Sequence, residues 1–228
     1  MDPLVELAVA AAAWFLLHAA VAGTSLRARL IARFGELGYR VAFSLYSIAL
    51  LVILIRAYGA APCAPLWTPP RALRSLPIAV MPLAFVLLAG AFLTPNPGAV
   101  GAERALERAD VARGVMRITR HPFLWGVALW AGVHLIVNGT LAAVLFFGSM
   151  LLTALVGTRD IDRKRSRQYP EAWARYTAVT SNVPFAAVLS RRNRIVLREM
   201  LAPIVAGLLL TALLLLFHAR LFRVSPLP

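Results

Sequence analysis

Four histidines, His18, His121, His134 and His218, are the side chains of this 228-residue sequence best placed to do chemistry, because each lies in or beside an apolar run. An ionisable group inside an apolar span is costly to bury alone and so marks a candidate site. No Asp or Glu lies deep in any of these runs; Glu6 sits near the outer end of the first. A proton relay or cation path built on buried carboxylates is therefore not expected. Histidines without carboxylates or cysteines suit few cofactors. Non-haem iron commonly takes two His and a carboxylate, and structural zinc takes four N or S ligands. Haem needs one or two axial imidazoles and otherwise an apolar slot, which a helix bundle supplies. If these histidines bind a cofactor, haem is the best physical fit. The alternative is that each histidine only hydrogen-bonds a neighbouring carbonyl. Arg120-His121-Pro122 reads as a helix start, since Pro suits the first turn; an Arg-His pair there could also hold an anion. Arg120 and Arg117 are expected to face the bundle mouth and neutralise an acidic group, such as a haem propionate or a lipid phosphate. Cys63, the single cysteine, lies between prolines in an outer loop; it excludes an internal disulfide.

The elements that must position these residues follow from composition. Sixty per cent of the chain is hydrophobic and 15% is charged, against roughly 45–50% and 25% in soluble domains. That excludes disorder and points to an integral membrane protein. A net charge of +14 would suggest nucleic acid in a soluble chain; here it is topology information, and no nucleic-acid partner is expected. Spans of roughly 20 apolar residues fit residues 4–23, 41–58, 77–93, 122–137, 141–157 and 200–218, giving an all-α, single-domain bundle of six transmembrane helices over residues 1–228. Asn138-Gly139 is a turn signal, so the fourth and fifth spans are read as a helical hairpin. Acidic Asp2 and Glu6 ahead of the first span favour a retained helix over a cleaved signal.

Five of the 24 basic residues (Arg56, Arg71, Arg74, Arg220 and Arg223) fall on the side of the termini, and the other nineteen on the opposite side. The positive-inside rule places both termini in the periplasm and segments 94–121 and 158–199 in the cytoplasm. Residues 102–116 place apolar side chains at helical spacing and predict an interfacial amphipathic helix. Segment 161–176 combines basic residues with Tyr169, Trp173 and Tyr176 and is read as a headgroup anchor.

Several pieces in order carry a resemblance: Leu17-His18, Leu26-Arg27-Ala28-Arg29-Leu30, Leu66-Trp67-Thr68-Pro69-Pro70, Met81-Pro82-Leu83-Ala84-Phe85, Thr119-Arg120-His121-Pro122, Trp130 with His134-Leu135, Asn138-Gly139, Phe147-Gly148-Ser149, Ser181-Asn182-Val183-Pro184-Phe185 and the segment Leu221 to Pro228. Together they resemble the NnrU family of bacterial membrane proteins, which includes the zeta-carotene isomerases. The resemblance implies a haem b on two histidines, by motif His18 and His134, with His121 as competitor. It also implies a link to nitrite or nitric oxide metabolism, or conversion of a cis double bond in a carotenoid. Depth complicates the pair. His18 lies roughly 7–8 Å from the cytoplasmic end and His134 roughly 20 Å, so His121 is the easier partner by depth. Arg-His-Pro ahead of a hairpin is similar, more distantly, to membrane methyltransferases of the prenylcysteine type, which use S-adenosylmethionine. Their paired Glu is replaced here by Arg159-Asp160-Ile161-Asp162.

The sequence therefore points first to an inner-membrane, b-type haem protein with a redox or ligand-linked role. The other readings are a haem-dependent isomerase of a carotenoid-like polyene, an S-adenosylmethionine-dependent methyltransferase, and a non-catalytic partner of respiratory or denitrification membrane proteins. The lipid bilayer and a lipophilic substrate are its expected partners.

Overall fold

A computed structural model describes residues 2–22, 24–98, 103–107 and 110–227. Its regular elements are helices, and among the described residues there is no β-strand beyond an isolated bridge between Pro65 and Thr140. The α-helices among the described residues are α1 (Pro3–Leu16), α2 (Ser25–Ala60), α3 (Arg71–Arg74), α4 (Leu76–Leu93), α5 (Pro122–Asn138), α6 (Leu141–Gln168), α7 (Pro170–Val179), α8 (Ala186–Leu189) and α9 (Leu197–Phe222). Among the described residues five helical stretches are long and apolar enough to cross a membrane: Pro3–Val21, Ser25–Ala60, Arg71–Leu93, Leu141–Gln168 and Leu197–Phe222. The remaining expected span, α5, is apolar but shorter, at 17 residues.

Three expectations about boundaries change. The second helix starts at Ser25, not residue 41, and is broken only at Gly35, whose φ of 74° and ψ of 163° are non-helical. The fifth does not stop at 157 but carries its charged end to Gln168. Arg, Lys and Gln are good helix formers, so a helix outlasts its apolar part. The described residues of 102–116 do not form one amphipathic helix: they hold short 3₁₀ turns at Glu103–Glu107 and Gly114–Arg117, and Gly114 sits at φ +51°. Ala102, Arg108 and Ala109 of that expectation, like Gly23 of the first span and Pro228 of the tail, lie outside the described residues.

Contacts divide the chain into two compact units, Met1–Leu73 with Ala131–Gly157, and Arg74–Trp130 with Thr158–Pro228. In the first unit α1 packs on α2, and α1 continues through Ala22 as a π-helical segment from Leu17. The α5–α6 turn is held by the segment after α2. Leu66 and Trp67 donate their backbone N–H groups to the Gly139 carbonyl at 2.8 and 3.1 Å, Leu141 N–H donates to Ala64 at 2.9 Å, and the Trp67 indole donates to Ile136 at 3.1 Å. Gly139 has φ +62° and presses on the Trp67 carbonyl, so the turn needs both its backbone freedom and its missing side chain. The Asn-Gly break expected from sequence is present.

In the second unit α4 packs along α9. Val86, Leu87, Val115, Met116, Ile118 and Met200 form a buried core, with Trp125 and Phe185 against it. Small residues set the approach. A Cβ on Gly207 of α9 would fall within 2.6 Å of the Val86 Cα. Close backbone approach through small residues is how helices associate in lipid, where the hydrophobic effect offers little. Gly207→Ala should therefore lower the thermal midpoint, by overpacking worth about 1–3 kcal/mol. Gly132→Ala, which meets nothing within 4 Å, should leave it unchanged or raise it through helix propensity. Detergent-solubilised melting of both variants checks the contrast.

Candidate functional site

The most connected polar cluster lies in the second unit, at the start of α5. Thr119 caps the helix: its hydroxyl accepts from the His121 N–H at 3.2 Å and donates to the Asn182 carbonyl. The segment Ser181-Asn182 is held alongside by the Arg120 N–H, which donates to the Ser181 carbonyl at 2.9 Å. The late turns of α6 then bring Asp162 to this helix start. Asp162 Oδ1 accepts from Arg120 Nε at 2.8 Å and from His121 Nε2 at 2.8 Å. Oδ2 accepts from Arg120 Nη2 at 2.6 Å and from Asn182 Nδ2 at 3.1 Å. The Asn182 side-chain oxygen Oδ1 in turn accepts from the Trp125 indole at 3.3 Å.

Four donors thus occupy one carboxylate, and its two oxygens offer about four lone-pair positions. The Arg120 fork is the charge-assisted bidentate geometry. His121 is 3% exposed, and burial pulls its pKa below the ordinary 6.5, against the opposing pull of Asp162. The imidazole is therefore neutral near pH 7, with its Nε2 proton on the carboxylate. Tyr176 of α7 is fully buried, and its hydroxyl has no hydrogen-bond partner among the described residues. Burial raises its pKa far above the phenol range. Tyr176 and Trp173 pack with Leu106 and Ala112, which corrects their reading as headgroup anchors; Tyr169, at 38% exposure, remains at the surface.

A second fork sits nearby in the same unit. Arg117 Nε and Nη2 donate to Glu199 at 2.8 and 3.1 Å, Nη1 donates to Asn193 Oδ1 at 2.7 Å, and the Gly114 N–H also reaches Glu199 at 2.8 Å. Arg120 and Arg117 were expected to meet an external acid; each instead has an internal carboxylate. Asp162 and Glu199 are the functional partners that sequence reasoning missed. Asp162 entered the sequence reading only where another family has a paired Glu, and it stands 41 positions from His121.

The histidines expected to hold iron lie elsewhere, in the first unit. His18 falls in the π-helical segment, an element often found at functional sites. Its Nδ1 lies 2.9 Å from the Trp14 carbonyl, and its ring packs 4.2 Å from Trp14 and 5.4 Å from Phe43. A backbone-bound Nδ1–H leaves Nε2 as the basic, ligating nitrogen. The Trp14 indole nitrogen is buried without a hydrogen-bond partner among the described residues, as is the hydroxyl of Ser47, one turn from Phe43 on α2. This donor set suits one axial ligand of haem. His134 stacks on Phe147 at 5.1 Å, and Phe147 meets Tyr58 at 5.6 Å. Phe43 and Tyr58 are fifteen positions apart on the unbroken part of α2, roughly 22 Å along its axis. Each histidine thus reaches α2 through aromatic rings, His18 at Phe43 and His134, by way of Phe147, at Tyr58. His121 has its Nε2 on Asp162. His218 Nδ1 lies 2.8 Å from the Val224 carbonyl at the end of α9. Among the described residues no three His, Cys, Asp or Glu side chains converge on a metal position. Cys63 is exposed.

The fold and these contacts define an all-helical membrane protein whose loops are fastened by arginine–carboxylate forks. The NnrU protein family model matches residues 6–226, and the chain belongs to that family. It is similar to the 15-cis-zeta-carotene isomerase of Zea mays, 34% identical over 82 residues, and to that of Arabidopsis thaliana, 35% identical over 81. Both are described as chloroplastic. The matches cover 36% and 35% of this chain and 22% of each relative, so the chain spans about a fifth of the curated relatives it matches. No solved structure matches.

Asp162→Asn should destabilise strongly, by about 3–5 kcal/mol, because it leaves the largely buried Arg120 guanidinium without its charge partner. Equal melting of variant and wild type would reduce the cluster to a surface contact. The pH dependence follows from His121. Its pKa is lower folded than unfolded, so below pH 6.5 the unfolded chain binds the extra proton and stability falls as pH drops. Its contribution is fully present above 6.5. His121→Gln should flatten the acid limb of a melting-midpoint profile below that value.

Proposed function

We propose that this protein is a multi-pass membrane isomerase that changes the geometry of a carbon–carbon double bond in a lipophilic polyene. The observation that carries this reading is its similarity to two zeta-carotene isomerases within a family match over nearly the whole chain. Helices that are apolar and long enough to reside in lipid support a substrate that also resides there. A cis–trans change adds and removes no atoms and consumes no reagent, so the protein's task is to bind the polyene and lower its rotation barrier. Neither relative points to methyl transfer or to a respiratory partner. The redox or ligand-linked role in nitrogen-oxide metabolism rests on the family resemblance alone and stands second.

The finer reading is a six-span bundle in the bacterial inner membrane, α5 being the sixth span, with both termini periplasmic on the count of basic residues. We propose haem b as cofactor, with His18 Nε2 as the chain's axial donor. Haem, if held there by His18, would supply redox chemistry to the conjugated system. The chain's own part is to fix the His18 tautomer through the Trp14 carbonyl, to exclude water with apolar helices, and to offer Trp14 Nε1 and Ser47 Oγ as unpaired polar contacts.

Incubating the purified protein with 15-cis-zeta-carotene and separating isomers by chromatography tests the reaction, and an absorption spectrum tests the cofactor. Loss of the cis isomer at constant total polyene is expected, together with a haem Soret band that His18→Ala abolishes. Loss of the band in His134→Ala as well would mean that the two imidazoles meet one iron; its retention would leave His134 outside the haem site. Isomerisation without any band would sink the haem and leave the isomerase. A band without isomerisation would favour the nitrogen-oxide reading.

A further inference from the structure

Residues 25–34 form a ten-residue helix at the start of α2, separated from the long part of that helix by the Gly35 break. Thr24 caps its start, accepting from the Leu26 N–H at 3.2 Å. None of its residues is buried in the protein. Leu26 is 41% exposed and Phe34 61%, and Leu37 just beyond the break is 76% exposed. Isolated helices of this length are marginal in water, so an external surface must take up its apolar side.

At 100° per residue Leu26, Leu30, Phe34 and Ile31 fall on one arc, and Arg33 and Arg29 lie along one edge of it. Arg27 is occupied: it lies 3.6 Å from Glu36 and over the Tyr39 ring, at 5.4 Å. That contact fastens the short helix to the long part of α2. Glu36 is shared with Arg40 at 2.8 Å. Arg29 and Arg33 are exposed and have no carboxylate partner among the described residues. Their spacing of four places both guanidiniums on one face. Arg33 lies over the Phe34 ring at 5.7 Å. An apolar arc edged by two cations without carboxylate partners, at the end of an apolar span, matches the boundary between acyl chains and anionic headgroups.

We propose that residues 25–34 are an anionic-phospholipid site, in which Leu26, Leu30 and Phe34 enter the acyl region and Arg29 and Arg33 take headgroup phosphates. A zwitterionic headgroup carries its own ammonium beside the phosphate and satisfies this pair less well. The net charge of +14 argues against a second copy as the occupant, since two like-charged faces repel.

The test uses the full chain in lipid nanodiscs, with Cys63→Ser and Leu26→Cys carrying a fluorophore. Quenching is read with brominated phosphatidylglycerol and brominated phosphatidylcholine, each present as a minor component in unlabelled phosphatidylcholine. A preference for phosphatidylglycerol on the order of tenfold is expected. Arg29→Gln with Arg33→Gln should abolish that preference while both lipids still quench, which shows that the helix remains seated. Equal quenching by the two lipids in the unsubstituted pair overturns the proposal. So does loss of the preference on adding millimolar inorganic phosphate, which would make this a site for a free anion. Energy transfer between labelled copies without quenching by either lipid would assign the face to a second copy and also overturn it.

Discussion

The second unit depends on the carboxylate of Asp162. Three segments far apart in sequence end there: the start of α5 through Arg120 and His121, the charged end of α6, and the connection after α7 through Asn182. A charge this well enclosed is tolerable only because every acceptor position is filled and a guanidinium sits opposite it. The cluster therefore stabilises less by its pair energy than by exclusion of alternatives. Any arrangement that moves one segment leaves Arg120 or Asp162 largely buried without its charge partner. Glu199 does the same for the first turns of α9, holding Arg117 and the Gly114 backbone together. Fastening of this kind matters in a membrane protein, where apolar helices gain little by choosing one another over lipid.

Between the forks, packing is set by what side chains are absent. Gly207 admits the Val86 backbone, and Gly126 admits Leu88 and the Ala84 carbonyl. Such contacts return only dispersion energy, which falls off over fractions of an ångström. They specify an approach distance; the forks specify which segments meet.

Apolar runs made most of the architecture legible in the sequence, and Asn138-Gly139 located the α5–α6 turn. The errors lay where hydropathy changes while the backbone does not. The end of α6, from Arg159 to Gln168, is polar enough to read as loop, yet its residues favour helix and each adds one backbone hydrogen bond. The converse held at residues 102–116, where apolar spacing suggested a helix but Gly114 turns to positive φ. In the site, Thr119, Arg120 and His121 were legible because capping and helix starts are local. Asp162 was visible only as a departure from another family's paired Glu. Nothing local tells which of two acids two residues apart will meet an arginine 40 positions away; the phase of α6 decides it, and that phase is a property of the fold.

The same facts separate structural from chemical histidines. A group that exchanges protons or binds a ligand needs a position that can be vacated. His121 Nε2 is one of four donors on a carboxylate that holds three segments together, so withdrawing it costs stability before it yields chemistry. His18 is held from behind by a backbone carbonyl 2.9 Å away, in a π-helical segment, with two unpartnered polar atoms on the helices around it. Its orientation is fixed by a contact that a ligand on Nε2 would not disturb. On the proposed reading, Thr119-Arg120-His121-Pro122, one of the pieces that carry the family resemblance, belongs to the scaffold. The chemistry belongs to a histidine whose surroundings look like ordinary transmembrane sequence.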